Sequence, residues 1–284
     1  MVHRAMFLLR NKRKEMINVS IVVYQTEESK IHRLIASLRE SSLIETIFVV
    51  DNSPTPFSSA LVGADYIFNG ENMGYGRAHN IAIRQSLSEH VAYHLVLNPD
   101  VTIDASILEE LVAYMDSHQD VASLMPQIYY PDGRTQHLCK LLPTPMDLCG
   151  RRFLPRWMVR KRNRRYELRQ TGYKHVMNIP YLSGCFMLLR GDALREVGIF
   201  DERFFLYPED IDLTRRLHAR FRTEFYPYVS IVHEYGQGSY KSVRLLWWHI
   251  VNMCRYFCKW GWINDAERDA MNHRCLKENM PAEK

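Results

Sequence analysis

Short apolar runs alternate with amphipathic stretches along the first hundred residues of the chain. The runs that predict buried strands are 19–24, 46–50, 64–68 and 93–97. Between them, apolar residues recur at helical spacing over 29–39 and 75–86, which predicts two helices. Strands that alternate with helices are typical of a mostly parallel sheet with helices on both faces, so we predict an α/β fold.

The pattern after residue 100 is less regular. Helical spacing predicts helices over 106–117, 210–219 and 245–262, with a short helix from Asp192 to Gly198. Apolar runs over 186–189 and 229–232 predict two further strands. The proline-containing stretch 126–147 follows neither period, so we expect it to be irregular.

Composition places the chain among globular proteins, because 46% of its residues are hydrophobic and 24% are charged. No run of eighteen apolar residues is present, which argues against a membrane-spanning helix. Residues 1–15 are basic, and their apolar run is too short for a secretory signal, so we expect a disordered leader.

The positive charge is concentrated in one segment. Residues 151–169 carry eight arginines and one lysine against Glu167 alone, within a chain whose net charge is +5. Such a local excess indicates a basic patch that could meet anionic lipid headgroups or a lipid-linked diphosphate, although a solvated basic helix is an equal alternative. The aromatic stretch 245–262 could lie on a membrane, pack on the domain or form a dimer contact.

Several polar residues follow the predicted strands directly. These residues would line one edge of the sheet, at the carboxyl ends of its strands, where ligands of such sheets bind. They are Tyr24, Asp51, Asn72 and Asp100. Asp51 could accept a hydrogen bond from a base or a ribose, but a turn aspartate beside residues 52–54 is the other reading.

The turn 72–76 contains glycines and leads into a helix. Gly74 would let backbone approach a ligand, and Arg77 would add a charged contact near a phosphate. A plain helix start explains the same residues, because the segment matches neither GxGxxG nor a P-loop.

Asn98-Pro99-Asp100 ends the fourth predicted strand and delivers a carboxylate to this edge of the sheet. A hard oxygen ligand at this place suits Mg²⁺ or Mn²⁺ bound to a diphosphate. His233, at the end of the last predicted strand, could be a further metal ligand. The alternative for Asp100 is a turn that ends the strand.

Glu209 and Asp210 lie between an aromatic run, 204–207, and a predicted helix. A carboxylate at an apolar entrance is partly desolvated, which makes it a better base. Capping of the helix is the competing interpretation.

Together these segments resemble one family. The chain is similar to the family-two inverting glycosyltransferases of the GT-A fold, in particular their bacterial rhamnosyltransferase-like branch. The matching segments, in order, are 19–24, 49–53, 69–80, 95–100, 183–188, 197–205, Glu209-Asp210 and His233, which cover roughly residues 17–240.

The resemblance implies a role for each matching position. Asp210 would be the catalytic base, with Glu209 and Tyr207 on the acceptor side, and Asp100 and His233 would bind the metal. The implied donor-binding residues are Tyr24, Asp51, Asn72, Gly74, Arg77 and Asn98. One departure is that Asn98 replaces the first acid of the family's Asp-x-Asp motif, which leaves fewer anionic ligands for the cation.

The implied organisation is a GT-A domain over 16–240 and a helical C-terminal extension over 241–284. Within the domain, 19–100 would bind the nucleotide and 101–240 the acceptor, with the basic segment 151–169 on the acceptor side.

The implied reaction moves a sugar, rhamnose in this branch, from a dTDP-, UDP- or GDP-linked donor to a hydroxyl. The acceptor would be a glycan or a lipid-linked sugar in the synthesis of cell-surface polysaccharide. A divalent cation, Mg²⁺ or Mn²⁺, would assist. The expected location is cytoplasmic, at the inner face of the plasma membrane, and a homodimer is one expected state.

Three other functions compete with this reading. A sugar nucleotidyltransferase needs a glycine- and lysine-rich triphosphate loop, which residues 19–45 lack. A catalytically degenerate nucleotide-sugar-binding protein fits Asn98 but not Glu209, Asp210 and His233. Nucleic-acid binding through 151–169 matches no recognised motif, so we expect no nucleic-acid partner.

Overall fold

The computed structural model describes residues 16–148, 154–234 and 243–279, so the predicted leader 1–15 lies outside it. The strands are β1 (Ile17–Val23), β2 (Ile44–Asp51), β3 (Asp65–Phe68), β4 (Tyr93–Leu97), β5 (Val101–Thr102), β6 (Val121–Tyr129), β7 (Cys139–Lys140), β8 (Met177–Asn178), β9 (Tyr181–Leu182), β10 (Phe186–Arg190) and β11 (Arg222–His233). The helices are α1 (Glu28–Leu38), α2 (Tyr75–Ser88), α3 (Ile107–Ser117), α4 (Arg156–Tyr166), α5 (Gly191–Val197), α6 (Glu209–His218), α7 (Val243–Trp260) and α8 (Ala266–Asn279).

A mixed sheet forms the centre of the molecule, in the order β3-β2-β1-β4-β10-β6-β11-β5. The first four of these strands are parallel, as the alternating pattern predicts. Strand β10 is antiparallel to both of its neighbours, β4 and β6, while β6 and β11 are parallel to each other. The sheet is therefore parallel from β3 to β4 and mixed beyond β4.

Strand β6 contradicts the expectation that 126–147 is irregular from its first residue. It continues through Pro126 to Tyr129, and Pro126 pairs in register with Tyr226 of β11. On its other side, β10 pairs with β6 only up to Leu124. A proline is tolerated there because it supplies no N–H to a ladder that has already ended.

Helices cover both faces of the sheet. Leu34 of α1 and Leu111 of α3 belong to the large apolar cluster on one face. Ile83 of α2 and Leu213 of α6 belong to the cluster on the other face. Successive residues of a strand point to opposite faces, which explains why every residue of β1 is buried.

The C-terminal helices pack on the domain rather than standing apart from it. Met253, Tyr256 and Phe257 of α7 share an apolar cluster with Phe204 and Ile211, which flank the start of α6. Of the alternatives predicted for the aromatic stretch 245–262, this contact corresponds to packing on the domain. Trp247 and Ile250, on another part of α7, are exposed. None of the helices in the described residues has the length and apolar character needed to cross a membrane.

Two buried ion-pair clusters fasten these helices to α6. Arg215 is 1% exposed and donates to both carboxylate oxygens of Asp265 at 2.7 Å, with its guanidinium 4.0 Å from the ring centroid of Trp260. Asp212, fully buried, accepts hydrogen bonds from Arg216, Lys259 and Trp260 at 2.9, 2.6 and 2.8 Å. Each buried charge is thus paired and hydrogen-bonded, as burial requires.

Asp265→Asn should lower the free energy of unfolding by about 2 kcal/mol, because it removes the buried bidentate partner of Arg215 and leaves the half-exposed Glu267, at 2.8 Å, as the remaining carboxylate. Asp265 also accepts a hydrogen bond from the Arg268 N–H at 2.9 Å and so caps α8. Urea denaturation followed by circular dichroism measures the change.

Asp192→Asn is the matched control, since Asp192 pairs with Arg195 on α5 at 89% side-chain exposure. Its effect should stay within about 0.5 kcal/mol. Equal stability of the two variants would show that the buried pair contributes no more than a surface one.

Candidate functional site

The carboxyl ends of β1 and β2 carry the first predicted donor-binding residues. Tyr24 is about half exposed, whereas Asp51 is fully buried. The Asp51 carboxylate accepts hydrogen bonds from the Ser53 N–H at 2.8 Å and the Tyr66 hydroxyl at 2.6 Å. In this structure Asp51 therefore orders the turn after β2, and its contact with a nucleotide stays a prediction.

The turn before α2 is built around a glycine. Gly74 has φ = +91°, and a Cβ at this position would overlap the carbonyl oxygen of Phe205. The Tyr75 N–H donates to that same oxygen at 2.9 Å. Only glycine permits both the positive φ and the close approach, so Gly74 fixes the loop 199–208 against the start of α2.

Two other residues of this turn occupy less enclosed positions. Asn72 is exposed, and its Oδ1 accepts a hydrogen bond from the Gly74 N–H at 3.1 Å. Arg77 is exposed on α2, with its Nε 3.9 Å from a carboxylate oxygen of Glu202. The donor-binding roles of both residues remain predictions.

Asp100 and His233 come together at the ends of β4 and β11. The Asp100 Oδ1 lies 3.2 Å from the His233 Nε2, and the Asn98 Nδ2 lies 3.4 Å from the same nitrogen. Burial lowers the pKa of His233, but the hydrogen bonds and charges of Asp100 and Cys185 together outweigh burial and raise the pKa to about 10. Burial raises the pKa of Asp100, yet the His233 partner holds it below its usual value.

Gln136 orients the His233 ring. Its Nε2 donates to the His233 carbonyl at 2.6 Å, so its Oε1 is the acceptor of the His233 Nδ1–H at 3.0 Å. With Nδ1 held in this way, Nε2 faces Asp100 and is the nitrogen available to a cation. A bound cation would displace the Nε2 proton.

Asp100 and His233 are the residues that could hold a divalent cation. No cluster of three or more His, Cys, Asp or Glu side chains suited to a metal occurs in the described part of the chain. A carboxylate and an imidazole fit Mn²⁺ or Mg²⁺ only as a partial set, so oxygens of a ligand or of water would complete the coordination.

Asp210 lies in the first turn of α6, and its side chain points towards the β9–β10 connection. Its Oδ2 accepts hydrogen bonds from the Gly184 N–H at 3.0 Å and the Tyr181 hydroxyl at 3.4 Å, and its Oδ1 from the Ile211 N–H at 2.8 Å. Burial raises the pKa of Asp210 despite these hydrogen bonds. The arrangement holds a carboxylate with heightened basicity in a fixed orientation.

Glu209 lies in a different environment from its neighbour. Its side chain is 4% exposed, and its Cβ lies close to Gly76 at the start of α2. Burial, followed by the Asp210 charge, raises the pKa of Glu209 well above its usual value. Glu209 is therefore buried beside α2 in this structure, and its acceptor-side role stays a prediction.

Tyr75 connects the two acidic sites. Its hydroxyl lies 3.0 Å from the Asn98 Oδ1 and 2.8 Å from the Gly184 carbonyl. Asn98 contacts His233, and Gly184 contacts Asp210. Asp100 and Asp210, 110 positions apart in the sequence, therefore lie at the two ends of one continuous chain of hydrogen bonds.

An open cavity of about 750 Å³ lies beside Asp210, at one end of this chain of hydrogen bonds. Asp210 and Gln136 both line it, and so does Tyr207, whose φ is +54°. The charged and polar side chains on the other walls are Tyr130, Arg134, Thr135, His137, Lys140, Glu167, Arg169, Tyr181 and Ser183. The cavity is large enough for a sugar and part of its carrier.

Sequence reasoning missed several residues of this site. Gln136 and Lys140 lie in the stretch treated as irregular, and no periodic pattern marks them. Tyr75 and Gly184 fall within segments of the family resemblance, but neither received a role. For Gly184 a signal exists, since a glycine before a strand often marks a close approach of backbone.

Two rhamnosyltransferases are similar to this chain in sequence. The chain is 31% identical over 180 residues to N-acetylglucosaminyl-diphospho-decaprenol L-rhamnosyltransferase of Mycobacterium tuberculosis, covering 58% of this chain and 56% of that protein. It is 25% identical over 252 residues to rhamnosyltransferase WbbL of Escherichia coli, covering 84% of this chain and 92% of that protein. The chain thus spans little more than half of the mycobacterial relative.

A solved structure shares the fold. The crystal structure of GalNAc-T7 with UDP, GalNAc and Mn²⁺ superposes with a TM-score of 0.57 at 13% identity, covering 78% of this chain and 43% of that chain. At this identity the likeness shows the GT-A type of fold alone.

The family model for glycosyl transferase family 2 matches residues 19–198, from β1 to the end of α5. This match covers more than half of the chain and confirms the resemblance seen in the sequence motifs. The chain belongs to glycosyl transferase family 2.

Proposed function

We propose that this protein is a glycosyltransferase that moves a sugar from a nucleotide-diphosphate donor to a hydroxyl, with inversion at the anomeric carbon. The observation that carries the proposal is the placement of Asp210 on the wall of an open cavity, joined to Asp100 and His233 through Tyr75. One region then offers a base for the acceptor and ligands for the donor diphosphate.

The names of the relatives support the finer choice of substrates. Two of them are named as rhamnosyltransferases, and one name specifies a diphospho-decaprenol acceptor. We therefore propose rhamnose as the transferred sugar, a dTDP-linked donor, and a lipid-linked acceptor in the synthesis of cell-surface polysaccharide. UDP- and GDP-sugars are the alternative donors.

Asp210 acts as the general base in this proposal. The Gly184 and Ile211 N–H groups hold its carboxylate, and the raised pKa increases its affinity for the acceptor proton. The acceptor oxygen attacks the anomeric carbon from the face opposite the leaving diphosphate, and Asp210 receives the proton. A single displacement of this kind needs no nucleophile from the protein.

Asp100 and His233 would hold a divalent cation, Mn²⁺ or Mg²⁺, together with oxygens of the donor diphosphate. The cation supplies charge neutralisation for the leaving diphosphate. Gln136 keeps the His233 Nε2 directed at this position, and Asn98, in place of an acid, leaves the protein with one carboxylate there. A GT-A-fold structure with UDP and Mn²⁺ supports the choice of metal.

Asp210→Asn should lower turnover by roughly 10²–10⁴-fold, because a missing general base typically costs that much. Donor affinity should remain close to that of the wild type, since Asp210 lies on the acceptor cavity. Release of nucleoside diphosphate from a panel of dTDP-, UDP- and GDP-sugars, together with donor titration by thermal shift, measures both quantities.

Asp192→Asn, on the outer surface of α5, controls for loss of a carboxylate and should keep full turnover. Wild-type turnover in the Asp210 variant would remove Asp210 as the base. Lost turnover together with lost donor binding would place Asp210 in the donor site instead.

Asp100→Asn should raise the Mn²⁺ concentration needed for donor binding by about tenfold or more, since even indirect changes at metal sites cost 10–100-fold in affinity. Titration of Mn²⁺ in the presence of the nucleoside diphosphate, followed by thermal shift, measures the change without turnover.

Asp104→Asn is the matched control, because Asp104 is an exposed carboxylate four residues away that caps the turn at Ser106. An unchanged Mn²⁺ requirement in the Asp100 variant would exclude Asp100 as a ligand.

A further inference from the structure

Helix α4 presents an unusual outer surface. Leu154, Trp157 and Met158 are 39%, 78% and 52% exposed. Its opposite side is anchored, since Val159 and Tyr166 are buried. Exposed apolar side chains gathered at one end of a helix mark a surface that contacts something other than water.

The same helix carries a dense positive charge on its exposed side. Arg160, Lys161, Arg164 and Arg165 are exposed, and none of them forms an ion pair within the described residues. Residues 156–166 contain no acid at all. We call Leu154, Trp157, Met158, Arg160, Lys161, Arg164 and Arg165 the α4 outer face.

Neighbouring basic residues are held to the domain and are not part of this face. The Arg162 Nε lies 2.5 Å from a carboxylate oxygen of Asp147, and its NH2 group donates to the Thr144 hydroxyl at 2.8 Å. With Tyr166 buried at its end, the helix is fixed in orientation. The outer face is therefore a rigid surface and not a loose basic segment.

The C-terminal end of α4 leads into the wall of the cavity of Asp210. Glu167 directly follows α4 and lines that cavity, as does its ion-pair partner Arg169. Lys140, on the cavity wall, lowers the pKa of Asp210 through its charge, although burial of Asp210 is the larger effect. Helix α4 and the part of the cavity wall formed by Glu167 and Arg169 are thus consecutive in the chain.

We propose that the α4 outer face docks the protein on an anionic lipid membrane. Trp, Met and Leu enter the boundary between headgroups and acyl chains, and the arginines and the lysine contact phosphates, as in interfacial amphipathic helices. Four cations without acids favour a lipid surface over a mixed-charge protein partner. The delivery of a lipid-linked acceptor to Asp210 rests on the proposed function, whereas the docking itself does not.

Flotation of the full-length protein with vesicles tests the proposal. Vesicles of phosphatidylcholine with phosphatidylglycerol should carry the protein at low salt, and vesicles of phosphatidylcholine alone should carry much less. Raising the salt concentration should weaken the binding, because the electrostatic part is screened.

Two variants separate the apolar and the electrostatic parts. Trp157→Ala should weaken the partition constant by about tenfold, the usual effect of withdrawing one large apolar side chain from burial. Arg164→Gln/Arg165→Gln should weaken it by about twenty-fivefold at low salt, since each basic residue near an anionic surface contributes about fivefold.

Matched controls remove an aromatic ring or two arginine charges from other parts of the protein surface. Tyr228→Ala deletes an aromatic that is 64% exposed on β11, and Arg33→Gln/Arg84→Gln deletes two exposed charges on α1 and α2. Both controls should bind vesicles like the wild type. Circular dichroism melting establishes that every variant is folded.

No binding of the wild type to anionic vesicles at low salt overturns the proposal, as does equal binding by the α4 variants. A shift from dimer to monomer on Trp157→Ala, without a change in flotation, assigns the face to a second copy of the chain instead. Since flotation needs neither donor nor acceptor, vesicle binding without any sugar transfer would contradict the proposed function and leave the docking surface standing.

Discussion

The site depends on how closely two backbone segments approach at Gly74. The loop 199–208 can reach the start of α2 only because this residue has no side chain, and the Tyr75 N–H then binds the Phe205 carbonyl. Asn80, further along α2, accepts from and donates to the backbone of Phe200 in the same loop. The position of Asp210 at the next helix start follows from these contacts.

The sequence predicts the parallel half of the fold well. Buried runs and amphipathic helices up to Leu97 are local patterns, and each boundary lies within two residues of its predicted place. The antiparallel direction of β10 could not be predicted, because an apolar run does not indicate the direction of a strand relative to its neighbours. Strand β6 was missed since Pro126 is normally read as a break, and only the surrounding pairing shows that it is tolerated.

The candidate site divides in a similar way. The family motifs identify Asp100, His233 and Asp210 from the sequence alone, and in the structure one chain of hydrogen bonds connects them. Their supporting groups depend on contacts between distant segments, such as Gln136 with His233 across 97 positions. The adjacent acids Glu209 and Asp210 show the limit most clearly, because one is packed inside and the other faces the cavity, a difference set by tertiary burial alone.

The buried carboxylate of Asp212 connects the C-terminal helix α7 to α6, the helix that carries Asp210. Its donors come from α6 and from α7, and Lys259 also binds Asp201 at 2.9 Å in the loop that Gly74 positions. Exchanging α7 and α8 for the corresponding helices of another family member would leave the buried Asp212 carboxylate with Arg216 alone of its three donors, unless the new helices also supplied Lys259 and Trp260. A functional hybrid of two family members therefore has to take α7 and the loop that contains Asp201 from the same parent.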